Sequence, residues 1–334
     1  MTAVVAREFG GPDVLTPASL PEPEPGPGEV VIAVSAADVL FLDTMIRSGR
    51  AREVFAQRPP YVPGNGVAGR VAAAGHAVDP GWIGRRVVAR TGPHGGSGGY
   101  SERALVPPDR LVAVPGGVDL EVAAALLHDG ATALGLLAGT PVKPGETVLV
   151  TGAAGGLALL LAQLCRAAGA RVIGVARLAG APRRAAKLAA IRAAGAAAVL
   201  DYGAPDWTGR VVEACGGTGP DVVFDGVGGP LGAAAFQITA DGGRFSAHGA
   251  PGGGFAPVSA REANERGIAL RGIDQVQFPA GRHEELIAEA LAEAAAGRLR
   301  PVIGQVFPLA EAAEAHAAIA ARTAIGKTLL RAGS

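Results

Sequence analysis

The sequence predicts an α/β chain of two domains, a β-rich first domain and a second domain built on a doubly wound parallel sheet. Three observations carry this reading. Up to about residue 121 the chain has short apolar runs broken by Gly and Pro; from residue 122 strands and helices alternate, and the strands are apolar on both faces. A glycine-rich turn joins the first strand of that alternation to its helix. At 334 residues the chain is long enough for two domains of ordinary size.

In the first domain, residues 30–34, 67–73, 86–89 and 101–106 read as strands, bounded by turn signals. The segment PEPEPGPGE at 21–29 reads as an exposed turn ahead of a strand. In the second, strands are expected at 147–150, 171–176, 198–200, 221–224, 243–247 and 268–272. Helices are expected between them at 156–168, 182–194, 206–215 and 230–239. The tail adds a helix at 283–296, an apolar stretch at 301–309, a helix at 310–321 and a last strand at 327–330. It is expected to return to the first domain. The division is then 1–121, completed by 279–334, and 122–278.

Composition narrows the function. Hydrophobic residues make up 49% of the chain and charged residues 18%, so a sizeable core is available and disorder is excluded. The formal net charge is zero, with no basic block and little aromatic interleaving, so no nucleic-acid partner is expected. The N-terminus shows no secretory h-region, and no run of about 18 apolar residues lacks a Gly or polar interruption. The two cysteines, Cys165 and Cys215, fall in separate expected helices, which argues against a disulfide framework. The expectation is a cytoplasmic protein with no membrane partner.

The strongest chemical signal is TVLVTGAAGGLALLLAQLCRAAGARVIGVA at 147–176. A buried strand ends in the turn Gly152, Ala153, Ala154, Gly155, Gly156, Leu157, and an apolar helix and second strand follow. Small residues let the backbone approach a pyrophosphate, and the helix N-terminus offers unpaired N–H groups to the anion. The third small position of the fingerprint is Ala158, sufficient for helix-to-strand packing. This context predicts a dinucleotide site. A site for NAD usually ends its second strand with an acid for the ribose 2′-hydroxyl. Here that strand runs into Arg177, with Arg183, Arg184 and Lys187 beyond it, a pattern suited to the 2′-phosphate of NADPH.

These residues belong to a longer pattern. The chain resembles the zinc-independent, quinone oxidoreductase-like branch of the medium-chain dehydrogenase/reductase superfamily. The landmarks are REFGGPDVL at 7–15, LDTMIRSG at 42–49, PYVPGNGVAGRV at 60–71, GGYSERALVP at 98–107 and DGATAL at 129–134. They continue with KPGETVLVTGAAGG at 143–156, LDYG at 200–203, DVVFDGVGG at 221–229 and GKTLL at 326–330. The resemblance implies a GroES-like catalytic domain, a Rossmann domain, a cleft between them for the nicotinamide, and a homodimer joined at the 268–272 edge strand. It implies that Gly174, Lys187 and Tyr202 meet the 2′-phosphate and that Thr132, Gly226, Val227, His248 and Gly249 lie near the nicotinamide. Arg322 matches a cofactor-contacting arginine of the family.

Zinc enzymes of the superfamily take a catalytic metal from a Cys early in the first domain and from a His-Glu pair after a Gly. The matching stretches here are Ala37-Asp38-Val39-Leu40 and Gly64-Asn65-Gly66, and the four-cysteine structural lobe is absent. No metal is therefore expected. The family often has Asn where this chain has Leu40, and Tyr where it has Met45. Neutral drift explains that change as readily as a more hydrophobic pocket does. Leu40, Asp43, Met45, Tyr61 and His94 are the candidate substrate residues, although Asp43 also reads as a fold-supporting turn residue. The six histidines have no metal spacing, and no catalytic acid is identified.

The expected reaction is hydride transfer from NADPH to a quinone or an α,β-unsaturated carbonyl, without zinc. The alternatives are an enone reductase dedicated to one step of secondary metabolism, and an NADPH-binding protein with little catalysis.

Overall fold

A computed structural model describes residues 1–91, 98–181, 183–279 and 281–333. The chain divides into two compact units, residues 1–131 with 281–334, and residues 132–280.

Unit 1 begins with an antiparallel pair, β1 (Thr2–Ala6) and β2 (Leu15–Ser19). There follow β3 (Val30–Val39), α1 (Phe41–Arg47), β4 (Gly66–Ala74), β5 (Arg86–Arg90), β6 (Arg103–Val106), β7 (Val112–Ala113) and α2 (Leu120–Leu127). The helix α3 (Asp129–Gly139) starts in unit 1 and continues into unit 2.

Unit 2 alternates β8 (Thr147–Thr151), α4 (Gly156–Ala167), β9 (Arg171–Ala176), α5 (Arg184–Ala193), β10 (Ala198–Asp201) and α6 (Trp207–Ala214). It continues with β11 (Val222–Asp225), α7 (Gly229–Gln237), β12 (Arg244–Ala247), α8 (Ala260–Glu265) and β13 (Ala269–Arg271). The chain then returns to unit 1 with α9 (Arg282–Ala295), β14 (Ile303–Pro308), α10 (Ala312–Ala320) and β15 (Lys327–Arg331).

The six strands of unit 2 are all parallel, in the order β10-β9-β8-β11-β12-β13. Strand order therefore reverses direction between β8 and β11, the crevice where open α/β sheets take their ligands. Leu149, Ile173, Val223 and Phe245 from four neighbouring strands pack with Val211 and Phe236 from the helices. In unit 1 the order is β14-β15-β3-β4-β5-β7, with β6 also on β3. Its core gathers Val4, Ile32, Val67, Val87, Tyr100 and Leu330. Among the described residues, no single helix is long and apolar enough to cross a membrane.

The unit boundary falls later than the texture change at residue 122. That change marks the start of α2, an apolar helix packed on β3, β4, β5 and β15, so it belongs to unit 1. Helix α1 escapes pattern reading for a different reason. Its buried face is largely polar, with Asp43, Thr44 and Arg47 beside Ile46, while Phe41, Leu42 and Met45 lie on the less buried face. The usual apolar stripe is inverted.

A buried ion cluster fastens the last strand into unit 1. The Lys327 ammonium, 4% exposed, lies 3.1 Å from Asp38 Oδ2 on β3 and 2.9 Å from Asp129 Oδ1 on α3. Burial alone would raise the Asp38 carboxyl, but Lys327 and His128 overcome it and hold it down at about 2. Because that value lies below the ordinary 3.8, the pair contributes stability above 3.8 that is lost as pH falls toward 2. Lys327→Met leaves the buried Asp38 and the partly buried Asp129 without their shared cation. It is expected to cost about 3–5 kcal/mol at neutral pH. The gap from wild type should narrow in acid, where Asp38 protonates in the variant; denaturant titrations at both pH values measure it.

Candidate active site

The glycine-rich turn after β8 is shaped for an anion. Gly152 has φ +61°, a conformation costly for residues with a Cβ, and its carbonyl accepts the Gly155 N–H at 2.9 Å. Gly155 is the N-cap of α4 and supplies no side-chain cap. The first intrahelical bond runs from Leu159 N–H to Gly155, so the N–H groups of Gly156, Leu157 and Ala158 have no partner within the helix. Ala153 is buried and its N–H donates to Val175 at 3.0 Å, which pins the turn to β9.

Across the switch point the end of β8 and the loops after β11 and β12 are tied by one residue, through its carboxylate and its main-chain carbonyl. Asp225, fully buried at the end of β11, accepts the Thr151 hydroxyl at 2.8 Å and the Val227 and Gly228 N–H groups at 3.1 Å. Gly226 N–H returns to Thr151 Oγ1 at 3.0 Å. The Asp225 carbonyl accepts the N–H groups of His248 and Gly249 at 3.1 and 3.0 Å. A Cβ on Gly249 would lie 2.1 Å from the Gly226 carbonyl carbon, so only glycine permits this approach. The structure thereby brings Gly152, Gly226, Val227, His248 and Gly249 together. His248 is hydrogen-bonded at Nδ1 to Ser246 at 3.0 Å, and burial pushes its pKa down to about 4, so it is a neutral group here.

The basic residues converge beyond β9. Lys187 on α5 is 6% exposed; burial, then Arg177 and Arg183, push its pKa down. The Arg177 guanidinium lies 5.6 Å from the centre of the Tyr202 ring. Asp201 does not compete for a ribose: its oxygens accept the N–H groups of Leu178, Ala179 and Gly203 at 2.7–3.0 Å. A cation cluster gathered in this way fits a phosphate group, whose charge relieves the repulsion between its members. The residues therefore fit a dinucleotide carrying a 2′-phosphate.

Gly174 is a correction. It sits inside β9, and a Cβ there would meet Ile191 Cγ2 at 2.7 Å and Ala153 Cβ at 3.0 Å. Its task is to let α5 and the β8 turn close over the strand, not to touch a phosphate.

Among the candidate substrate residues, Leu40 and Met45 are partly exposed on α1 and its N-cap. Asp43 takes the fold-supporting of its two readings rather than the substrate one. It is 2% exposed, and its carboxylate accepts the Leu40 N–H at 2.8 Å, the Tyr100 hydroxyl at 3.0 Å and the Asn65 amide. Burial raises it to about 6. With the Tyr100 hydroxyl spent on Asp43, His316 Nε2, 2.9 Å away, is the donor to the Tyr100 oxygen. Asp43 thus holds α1 in place from behind.

The Tyr61 hydroxyl is buried without a partner among the described residues, and burial pushes its pKa up to about 12. Thr132 is the first residue of unit 2, and Arg322 sits just past α10 in the left-handed conformation, φ +56°. His94 lies outside the described residues. Sequence reading gave Asp225 no role and did not join Asn65, Tyr100 and His316 to Asp43. For Asp225 a signal existed, an acid at a strand end followed by Gly-Val-Gly-Gly, and Tyr100 stands in the GGY landmark; the pairing of these residues with Asp43 had none.

Comparison with known proteins agrees with this geometry. Residues 26–116 match the alcohol dehydrogenase GroES-like domain family, and residues 194–330 match the zinc-binding dehydrogenase family. A quinone oxidoreductase of Pseudomonas aeruginosa is 34% identical over 326 residues, covering 96% of this chain and 97% of that protein. A 2-haloacrylate reductase of a Burkholderia species is 32% identical, covering 98% of both chains. A mycobacterial protein solved in complex with NADPH superposes with a TM-score of 0.87 at 35% identity, covering 99% of this chain and all of that one. Escherichia coli quinone oxidoreductase, also solved with NADPH, gives 0.88 at 28% identity over 99% of this chain and all of that one. The chain belongs to the quinone oxidoreductase-like branch of the medium-chain dehydrogenase/reductase superfamily and is an oxidoreductase by descent.

Proposed function

We propose that this protein is an NADPH-dependent reductase that delivers a hydride to a quinone or an α,β-unsaturated carbonyl without zinc. The observation that carries the reading is the cluster of Arg177, Arg183 and Lys187 beside Tyr202, at the position where an NAD site would place an acid. NADPH, when bound, supplies the hydride. The chain's own residues bind and orient it. The N–H groups of Gly156 and Leu157 meet its pyrophosphate, and the cation cluster meets its 2′-phosphate.

The zinc-free reading rests on what the side chains at the matching positions do. Leu40 and Gly66 have no donor atom to offer a metal. Asn65 is committed to Asp43, and nearby Asp38 is committed to Lys327 and His128. Substrate recognition falls to the apolar face of α1, where Leu40, Phe41, Leu42 and Met45 present carbon to the acceptor. Apolar contacts reward bulk by the area they remove from water, about 25 cal/mol per Å². Relatives named for quinones and for 2-haloacrylate keep both acceptor classes in the reading. A homodimer is proposed through β13, the edge strand of the unit 2 sheet.

Three outcomes test this. Lys187→Ala should weaken NADPH more than NADH by about 1–3 kcal/mol, the scale of a charge-assisted hydrogen bond. Fluorescence titration with both cofactors measures it, and a wild type that binds the two equally contradicts the cofactor assignment. Exhaustive dialysis against a chelator should leave turnover unchanged; activity restored only by added zinc refutes the zinc-free mechanism. Leu40→Asn should lower kcat/KM for large hydrophobic acceptors while sparing small quinones and NADPH affinity. An unchanged substrate ranking would remove Leu40 from the pocket.

A further inference from the structure

We propose that His128, aimed by Asp38, is the proton donor that completes this reduction. The inference rests on the reductase reading above, which leaves the donor unassigned. Hydride addition to a quinone or enone leaves an anionic oxygen, and a reductase gains rate by protonating it in place.

The geometry is that of an oriented acid. His128 Nδ1 lies 2.9 Å from Asp38 Oδ2, and Asp38 is ionised and wholly buried. The carboxylate therefore holds the Nδ1 proton and fixes the ring, which directs Nε2 outward. Asp38 and Lys327 are at most 4% exposed, whereas the His128 side chain is 16% exposed. His128 and Asp129, the latter 15% exposed, are thus the members of the cluster that reach their surroundings, and of these two His128 carries the transferable proton; its Nε2 has no hydrogen-bond partner among the described residues. A glycine makes room for it: a Cβ on Gly66 would lie 2.8 Å from His128 Cε1 and 3.0 Å from Asp38 Oδ1.

Position supports the assignment. Asp38 is two residues from Leu40, and Gly66 follows Asn65, which holds Asp43 at the start of α1. The dyad therefore stands at the same end of β3 and β4 as the apolar face proposed for the substrate. An ion pair alone would not require the imidazole, because Asp38 already has Lys327. The charged groups around His128 come from several elements: Asp38 on β3, Lys327 on β15, Asp129 on α3, Arg90 on β5, and His283 and Glu284 on α9. His283 packs edge-on at 6.1 Å and is pushed down to about 3 by burial, with Arg90 adding to it, so it stays neutral and offers no rival proton.

The step balances. The acceptor gains two electrons and one hydrogen as hydride from NADPH, which is oxidised. When His128 carries a proton on both ring nitrogens, the Nε2–H bond breaks, its electron pair stays on nitrogen, and an O–H bond forms on the substrate. Water then returns a proton to Nε2.

The test compares wild type, His128→Asn, His128→Ala and Asp38→Asn on one quinone and one enone, with NADPH affinity measured by fluorescence titration. His128→Asn keeps a donor toward Asp38 and loses proton transfer. It should lower kcat about 100-fold, in the range of general acid catalysis. NADPH affinity should not change, and the solvent isotope effect on kcat should rise. Added imidazole should restore part of the turnover of His128→Ala, which a purely structural histidine would not allow. Asp38→Asn, a positioning variant, should lower kcat with little change in KM. If His128→Asn does not fold, His128→Gln carries the same comparison. Wild-type kcat in the asparagine variant together with no imidazole rescue overturns this assignment alone. A wild type that oxidises NADPH with neither acceptor overturns the reductase reading and the proton donor with it.

Discussion

The ammonium group of Lys327 is buried against Asp38 and Asp129, and the end of unit 1 that carries α1 is organised around that burial. A buried cation is tolerated only when carboxylates surround it. Meeting that requirement joins three elements distant in sequence: β15 near the C-terminus, β3 near the N-terminus, and the first turn of α3. It also fixes an ionised carboxylate on β3, and that carboxylate in turn holds His128. Fold closure and the orientation of a titratable side chain are thus one electrostatic arrangement. A second, separate network of Asn65, Asp43, Tyr100 and His316 fixes α1 from its buried side. That is why α1 turns carbon outward, against the ordinary pattern of a surface helix.

Unit 2 depends on close approach rather than on charge. Its loops converge at the reversal of strand order, and Asp225 satisfies the N–H groups that the convergence would otherwise strand. The glycines there remove side chains that would hold the backbones apart. The repulsive gathering of Lys187, Arg177 and Arg183 is the opposite kind of device. It is unfavourable alone and favours an anion, so the unit is built to be completed by a phosphate.

The fold class, the strand sequence of unit 2 and the phosphate loop were legible in the sequence because each is a local pattern. A parallel strand buried on both faces is apolar along its middle, and β8, β9 and β11 read so, with polar residues only at their ends. The turn at 152–156 needs small residues in a row, and a row is visible without a structure. The absence of an acid after β9 and the basic residues beyond it are also local, and they anticipated the cation cluster. Helices α1 and α2 were missed because one inverts the amphipathic pattern and the other is apolar except for Glu121.

Tertiary structure decided everything that depends on pairs far apart in the chain. Nothing near Gly174 in the sequence says that Ile191 and Ala153 close over it, so a packing glycine read as a phosphate contact. Asp43 read both as a substrate group and as a fold-supporting residue; Asn65 and Tyr100, arriving from the segments before β4 and β6, enclose it and leave the second role. Asp38, His128 and Lys327 are separated by most of the chain and become a unit only when β3, α2 and β15 pack together. Local patterns of size and hydropathy determine which elements form and where a backbone can bind an anion. The charge and hydrogen-bond state of a buried side chain depends on its neighbours in space, and only the folded chain supplies those.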